Sequence, residues 1–193
     1  MGNIFENVKR HHKETFLKAV KDGKADQQII SLGNFFVSAK DFFTSSSCSG
    51  MIVLMNLDED ETKREAALHR KWHRAVEFDE VFSALEEQTA DDIWFKHEPL
   101  ILHIGARDLK AAKKVLSVMK KVGIRRGGII VAKEQKFIVE LTGSSYMSFP
   151  VKTGDRILVS EEHLRFIIKR ANKKLERNYK MLKEFEKECR KSL

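Results

Sequence analysis

Residues 127–142 read GGIIVAKEQKFIVELT, with two β-type runs on either side of the short polar link Lys133-Glu134-Gln135. Runs rich in Ile, Val and Phe that flank so short a link predict an antiparallel hairpin, with strands at about 127–133 and 136–142. Parallel neighbours need a long crossover between them, which this link does not provide. The stretch therefore predicts a sheet that is largely antiparallel.

Further β-type runs extend this prediction along the chain. They lie at about 42–44, 51–57, 93–95, 100–104, 147–152 and 156–159. The runs at 93–95 and 100–104 flank Glu98-Pro99 and are expected to pair with each other. The polar segment between 42–44 and 51–57 is expected to be a tight loop whose backbone amides are exposed.

Apolar residues at helical spacing predict five main helices around these strands. They span about 4–22, 27–38, 78–88 and 108–122, and a long C-terminal segment after Ser160. Gly23 favours a left-handed conformation that ends the first helix, and Asp26 is placed to cap the second. The charge-dense segment 58–70 is expected to be a loop that runs into a short helix.

These elements predict a single α+β domain over residues 1–193, with mostly antiparallel sheets, flanking helices and a long C-terminal helix. No G-x-G-x-x-G motif follows a predicted strand, so the fold is expected to be non-Rossmann. No apolar run approaches the ~20 residues that span a bilayer, and the N-terminus lacks the apolar region of a signal peptide. Only Cys48 and Cys189 occur as cysteines, so no disulfide framework is expected and a cytoplasmic protein without membrane contact is predicted.

The net charge of +8 is concentrated at the two ends of the sequence. Residues 1–25 carry six Lys/Arg and three Asp/Glu, and residues 160–193 carry eleven and six, which leaves nineteen of each between them. A basic helix face attracts polyanions, so nucleic acid is the favoured partner. The alternative, a solvated helix surface without a partner, stays open.

The segment Thr44–Gly50, TSSSCSG, is the predicted functional centre. Its small side chains let a ligand approach the backbone, and its hydroxyls suit a phosphate, a carboxylate or a nucleobase. An ordinary β-turn with locally satisfied hydroxyls is the alternative. Cys48 is expected to be an inert thiol, because no basic residue adjoins it in sequence. No C-x-x-C pair occurs, and no metal is expected.

Two further groups combine residue types that suit nucleic acid. Trp72-His73 offers a stacking surface beside a side chain that exchanges protons near neutral pH. Arg125-Arg126-Gly127-Gly128 places two cations beside two residues that lack bulk, which suits a phosphate or a carboxylate. The alternatives are a core tryptophan next to a surface histidine, and a turn with a basic edge.

Together, these segments resemble the tRNA wybutosine-synthesising protein 3 family, in its archaeal form, over nearly the whole chain. The resemblance is carried by FTSSSCSG at 43–50, Lys71-Trp72-His73, Trp94-Phe95, Glu98-Pro99, Leu102-His103, GIRRGGI at 123–129, Pro150, Gly154 and Ala171-Asn172. Two positions depart from the family pattern, since Met51 stands where Arg is usual and Gly127 where Ser is common. Either Arg125 or Arg126 replaces the missing cation, or the specificity has drifted.

The resemblance implies an S-adenosylmethionine-dependent methyltransferase with a fold outside the Rossmann methyltransferases. Its substrate would be a tricyclic wyosine-type base at position 37 of phenylalanine tRNA, and the methyl acceptor would be ring nitrogen 4. The competing interpretations are a non-catalytic RNA-binding protein and a structural partner of another tRNA-modifying enzyme. The oligomeric state stays open.

This resemblance suggests roles for the residues singled out above. His73, Ser47 and Cys48 are the expected catalytic group, with His73 orienting the acceptor or receiving its proton and Cys48 forming one wall of the site. The expected cofactor contacts are Ser46, Ser49, Gly50, Gly127 and Gly128. The expected RNA contacts are Trp72, Glu98, His103, Arg125 and Arg126, with the basic terminal helices holding the phosphates of the anticodon arm.

Overall fold

A computed structural model of the chain describes residues 4–57, 67–89 and 91–193. The helices are α1 (Ile4–Lys21), α2 (Ile30–Ser38), α3 (Phe78–Glu86), α4 (Leu109–Lys121) and α5 (Glu161–Ser192). The strands are β1 (Phe42–Cys48), β2 (Met51–Leu57), β3 (Ala67–Trp72), β4 (Asp92–Glu98), β5 (Ile101–Ala106), β6 (Arg126–Lys133), β7 (Lys136–Thr142), β8 (Met147–Thr153) and β9 (Arg156–Ile157). All the pairings between these strands are antiparallel, so the α+β prediction is confirmed.

The chain divides into two compact units that each contain one sheet. The first unit comprises the residues up to Ser49 together with Leu100–Ser144 and Asn178–Leu193. The second comprises Gly50–Pro99 and Ser145–Arg177.

The first unit is a four-stranded sheet in the order β1-β5-β7-β6 with helices on both faces. The predicted hairpin is present as β6 and β7, which meet where Lys133 pairs with Lys136. Residues of α2, α4 and the end of α5 form the main apolar core with one face of the sheet. On the other face, Phe5 of α1 packs with Phe43 and Ile138. Burial of both faces makes the sheet the centre of this unit.

The second unit is a five-stranded sheet in the order β3-β2-β4-β8-β9. Strand β4 alternates half-buried and buried residues along its whole length, as expected for a strand with one face on a core. The fully buried side chains of this second unit include Ile52, Leu54, Leu85, Ile93, Phe95 and Val151. Helix α3 supplies Val81 and Leu85 to this unit's interior.

Two predictions about strands are wrong. Strands β4 and β5 do not pair with each other, because β4 pairs with β2 and β8 while β5 pairs with β1 and β7. The link between them is Pro99-Leu100, and a two-residue hairpin favours positive φ angles that proline does not adopt. Residues 67–70, predicted as part of a loop and short helix, begin strand β3, whose pairing with β2 no local pattern reveals. The remainder of that segment, 58–66, lies outside the described residues.

The predicted long C-terminal helix is confirmed as α5, with 32 residues. Ser160 caps it, since its hydroxyl accepts a hydrogen bond from the His163 backbone N–H at 3.2 Å. Gly23 has a φ of +66° after α1, as predicted for the end of that helix. Among the helices of the described residues, none combines the length and the apolar character needed to cross a membrane.

Candidate functional site

Strand β1 carries most of the segment that the sequence predicts as the functional centre. Its pairing with β5 is interrupted between Thr44 and Ser47, so that Ser45 and Ser46 form a β-bulge. Both bulged serines are exposed, whereas Ser47 and Cys48 are half-buried. The prediction of a tight loop is therefore wrong for this stretch, because its backbone pairs with a strand more than fifty residues away in sequence. A bulge, and not a loop, presents hydroxyls at the surface.

A cavity of about 180 Å³ lies beside this bulge. Thr44, Ser45 and Ser47 contribute hydroxyls to its lining, and the hydroxyls of Thr44 and Ser47 are 2.9 Å apart. Lys24 and Asp26 add one charge of each sign. The rest of the lining comes from Thr15, Phe16, Ala19, Ala25 and Ile29. The cavity therefore combines hydroxyls, an ammonium group and a carboxylate with a partly apolar wall.

The carboxylate of Asp26 holds the end of β1. Its Oδ2 accepts a hydrogen bond from the Ser49 backbone N–H at 2.7 Å, and its Oδ1 accepts one from the Gln28 N–H at 3.1 Å. Helix α2 begins at Ile30, with Ile29 in the N-cap position and no side-chain cap, so the predicted capping role of Asp26 is wrong. Asp26 instead connects the start of α2 to the functional segment.

Tyr179 of α5 acts on the same end of β1 within the first unit. Burial raises the pKa of Tyr179 to about 12, and the Asp26 carboxylate adds to this shift while the Ser49 side chain opposes it. The phenol therefore keeps its proton at neutral pH and can donate a hydrogen bond. The Ser49 hydroxyl is fully buried and makes no hydrogen bond of normal geometry within the part of the chain that the structure describes.

His103 lies on the face of the first sheet opposite the main core. Its Nε2 is 2.9 Å from the Glu140 carboxylate, and both side chains are partly exposed. Glu140 pairs in turn with Gly128, where an added Cβ would meet no atom within 4 Å. His103, Glu140 and Gly128 thus form a row across three strands that ends in open space.

Gly127 is required by the local backbone. Its φ is +121°, and a Cβ at this position would lie 2.1 Å from the carbonyl oxygen of Glu140. The serine that is common here in the family would therefore need a different backbone. Gly127 aligns with Ser47 across the sheet, but β5 and β7 separate them, which places them roughly 14 Å apart at the usual strand spacing. Ser46 and Gly127, two of the expected cofactor contacts, thus lie on strands at opposite edges of one sheet.

Arg125 and Arg126 are both exposed at the start of β6. They line a cavity of about 160 Å³ together with Thr142, Gly143 and Ser144. Two cations beside a hydroxyl-bearing rim suit a phosphate group.

In the second unit, Trp72 is the last residue of β3 and His73 follows it directly. Both side chains are half-buried. Arg74 then donates two hydrogen bonds to the Glu80 carboxylate, at 3.0 and 2.5 Å, and this pairing lowers the pKa of Glu80 to about 2. The same carboxylate accepts a hydrogen bond from the Glu77 N–H at 3.0 Å. The segment that follows His73 is therefore held to helix α3.

Asn172 of α5 fixes the same segment from another side. Its Oδ1 accepts a hydrogen bond from the Val76 N–H at 3.0 Å, and its Nδ2 donates one to the Val76 carbonyl at 2.9 Å. One side chain thereby satisfies both backbone groups of a buried residue. The Ala171-Asn172 match in the family resemblance has a structural explanation in this clamp.

We expect Asn172→Ala to lower the free energy of unfolding by about 2 kcal/mol, because it leaves two buried backbone groups without partners. Urea denaturation of the variant measures this loss. The matched control is Lys173→Ala, which changes the next, exposed residue of the same helix. Equal midpoints for the two variants would show that the clamp contributes nothing.

Glu98, an expected RNA contact, is the half-buried last residue of β4 and pairs with Met51. Its neighbour His97 is fully buried, with Nδ1 3.0 Å from the Ser145 carbonyl oxygen. Burial lowers the pKa of His97, so the ring is neutral at neutral pH. Position 51, where the family pattern has arginine, therefore lies opposite a carboxylate.

The structure groups the expected site residues by unit. The first unit contains Ser46, Ser47, Cys48, Ser49, His103, Arg125, Arg126, Gly127 and Gly128. The second contains Gly50, Trp72, His73 and Glu98. Gly50 is buried and has a φ of +99°, and among the described residues neither Cys48 nor Cys189 forms a disulfide.

Sequence reasoning missed two residues that shape the first unit's part of the site. Asp26 was predicted only as a helix cap, and Tyr179 was not predicted as a site residue. The acidic side chain of Asp26 just before a Ser-rich strand is a signal that could have drawn attention to it. No sequence signal indicates Tyr179.

Comparisons with known proteins place this geometry in context. The model of the family described as Methyltransferase TYW3 matches residues 3–191. A Pyrococcus furiosus protein named tRNA(Phe) 7-((3-amino-3-carboxypropyl)-4-demethylwyosine(37)-N(4))-methyltransferase 1 is 34% identical over 184 residues, which cover 94% of each chain. The tRNA wybutosine-synthesizing protein 3 homolog of Xenopus laevis is 32% identical over 168 residues, 86% of this chain and 66% of that protein.

The fold has a solved counterpart as well. The structure of the PH1069 protein from Pyrococcus horikoshii superposes with a TM-score of 0.90 at 30% sequence identity. The match covers 98% of this chain and 95% of that one.

Proposed function

Because the chain belongs to the methyltransferase TYW3 family, we propose that it transfers a methyl group to ring nitrogen 4 of a 4-demethylwyosine-type base at position 37 of phenylalanine tRNA. The chain is a tRNA methyltransferase of wyosine biosynthesis. The observation that carries the proposal is the family match over residues 3–191, which includes the Ser- and Cys-rich strand and Trp72-His73. A cytoplasmic location is part of the same proposal.

The methyl donor in this proposal is S-adenosylmethionine, which supplies an electrophilic methyl group when bound. The cavity beside the bulge has about 180 Å³, smaller than the roughly 300–1,000 Å³ of most small-molecule sites, so it would hold a part of the cofactor. Lys24 and Asp26 complement the carboxylate and ammonium groups of its amino-acid end. The hydroxyls of Ser45 and Ser47 offer further hydrogen bonds, and Ser46 lies beside them on the bulge.

The proposed reaction requires only one proton transfer to a side chain of the protein. The acceptor nitrogen loses a proton when it is methylated, and His73 is the proposed recipient, since a neutral imidazole can accept a proton. Trp72 would stack on the base. Positioning the acceptor and excluding water supply the rest of the acceleration. Arg125 and Arg126 would bind phosphates of the anticodon arm.

Incubation with labelled S-adenosylmethionine and phenylalanine tRNA from a strain that lacks this activity tests the proposal. We expect the tricyclic nucleoside to gain the mass of one methyl group. An unchanged nucleoside would contradict the proposed reaction. In a second arm, saturating S-adenosylmethionine at about 100 times its Kd should stabilise the protein by roughly 2.7 kcal/mol. A purely RNA-binding protein would show no such increase in Tm.

A further inference from the structure

Residues 109–126 carry seven cations and no carboxylate. The cations are Lys110, Lys113, Lys114, Lys120, Lys121, Arg125 and Arg126. Helix α4 supplies the five lysines of this run. No other stretch of comparable length in the chain combines so many cations with a complete lack of acidic residues. Helix α4 therefore carries positive charge with no carboxylate of its own, which the charge counts for the two ends of the sequence do not reveal.

The two sides of α4 differ sharply in environment. Ala111, Ala112, Val115, Val118 and Met119 are buried in the core of the first unit. The five lysines are exposed. Helix α4 and Ser192 at the end of α5 line a groove of about 390 Å³. Besides Val118, five polar side chains of α4 belong to this lining: Lys110, Lys113, Lys114, Ser117 and Lys121. The polar face of α4, which we term the α4 lysine face, is thus fixed in orientation by the core behind it.

Most of this charge is not neutralised by the protein. Lys121 binds the Glu188 carboxylate at 2.5 Å. Lys110, Lys113, Lys114 and Lys120 have no ion pair within the described ranges 4–57, 67–89 and 91–193. Glutamates three or four residues away on a helix offset the charge of its lysines. Helix α4 has none, so its lysines repel one another until an external anion neutralises them.

We propose that the α4 lysine face docks the sugar-phosphate backbone of tRNA, outside the methyl-transfer site. The proposal rests on the proposed function, in which the substrate is a tRNA. At 1.5 Å per residue, the 13-residue helix is about 20 Å long, long enough to follow several phosphates of one RNA strand. Lysines act on phosphates as point charges and read no sequence, so this face positions the tRNA and leaves base recognition to the site.

An anionic membrane surface is the other class of partner for a basic helix. Helices that lie on membranes insert an exposed apolar face into the lipid. The apolar residues of α4 are instead buried in the protein core, with Leu109 at the first turn as the exposed exception. The structure therefore favours RNA.

The test compares the double variant Lys110→Ala/Lys114→Ala with Lys40→Ala/Lys133→Ala. The control removes two exposed lysines of the same unit with the same change in charge. Kd for unmodified phenylalanine tRNA is measured at salt concentrations from about 50 to about 300 mM, because affinity that comes from phosphate contacts falls steeply over this range. We expect the α4 variant to bind at least fivefold more weakly, with a log–log salt slope less steep by roughly 1.5. The KM for tRNA should rise while kcat stays unchanged.

Equal Kd values and salt slopes for the two double variants would overturn the proposal. If they are equal while the wild-type protein still methylates tRNA, only the α4 lysine face is refuted and the proposed function stands. If the wild-type protein binds no tRNA, both are refuted. Loss of binding to phosphatidylserine vesicles in the α4 variant, with tRNA binding retained, would also overturn the proposal and assign the face to a membrane.

Discussion

Replacing Gly127 with alanine is expected to lower the free energy of unfolding of the first unit by about 3 kcal/mol. The substitution forces a side chain onto a residue with a φ of +121° and places Cβ 2.1 Å from the Glu140 carbonyl oxygen. That oxygen belongs to the paired strand β7, so relief of the clash breaks part of the ladder between β6 and β7. For a chain of this size, the loss corresponds to a decrease in Tm of roughly 6–12 °C.

The neighbouring residue provides a matched control. Gly128 lies on the same strand, and a Cβ there meets no atom within 4 Å. We therefore expect Gly128→Ala to change the stability by less than about 1 kcal/mol. Thermal and urea denaturation of the two variants measure the difference. Similar Tm values for both would show that the strain at Gly127 is absent in solution.

The same pair of variants also tests the expected cofactor contacts on this edge of the sheet. If Gly128 contacts S-adenosylmethionine, the Gly128→Ala variant should bind it more weakly at unchanged stability. If the cofactor lies only beside the β1 bulge, roughly 14 Å away at the usual strand spacing, its affinity should not change. A thermal shift titration distinguishes these results.

The elements that could be predicted from the sequence are those whose determinants are local. The hairpin of β6 and β7 has its link and both strands within 17 residues, from Arg126 to Thr142. The apolar stripe of α5 repeats at helical spacing along the helix. The pairing of strands that are distant in sequence has no such local determinant. Strand β1 pairs with β5 some fifty residues later, and the short Pro99-Leu100 link passes from one sheet to the other. Neither feature is encoded by a pattern within either strand.

The site shows the same division. Residue types identified the serines of β1 and Trp72-His73, and the resemblance suggested roles for them. The hydrogen bond from the Ser49 N–H to Asp26, in contrast, joins residues 23 positions apart. Tyr179 interacts with Asp26 and Ser49, which are much farther from it in sequence. Such contacts depend on how α2 and α5 pack, which a single sequence does not specify. The basic character of α4 is likewise not visible in the net charge of the central part of the sequence, because acidic residues elsewhere in that part balance the lysines of α4.

Replacing His73 with alanine is expected to have the largest effect on catalysis. If His73 accepts the proton of the methylated nitrogen, kcat should fall by about 10²- to 10⁴-fold while Kd for tRNA changes little. Single-turnover methylation with labelled S-adenosylmethionine measures the rate, and filter binding measures the affinity. The matched control is His163→Ala, an exposed histidine in the first turn of α5.

The pH dependence separates proton transfer from simple positioning. A histidine base works only when it is neutral, so the wild-type rate should decrease at acidic pH, where a base becomes protonated. If His73 accepts the proton, the His73→Ala variant should be slow and its rate should no longer depend on pH in this way. If His73 only orients the base, the variant should be slow but keep the pH profile of the wild-type protein. Retention of the wild-type rate in His73→Ala would rule out both roles. The acceptor proton would then leave to solvent, and the enzyme would accelerate the reaction through positioning of the acceptor alone.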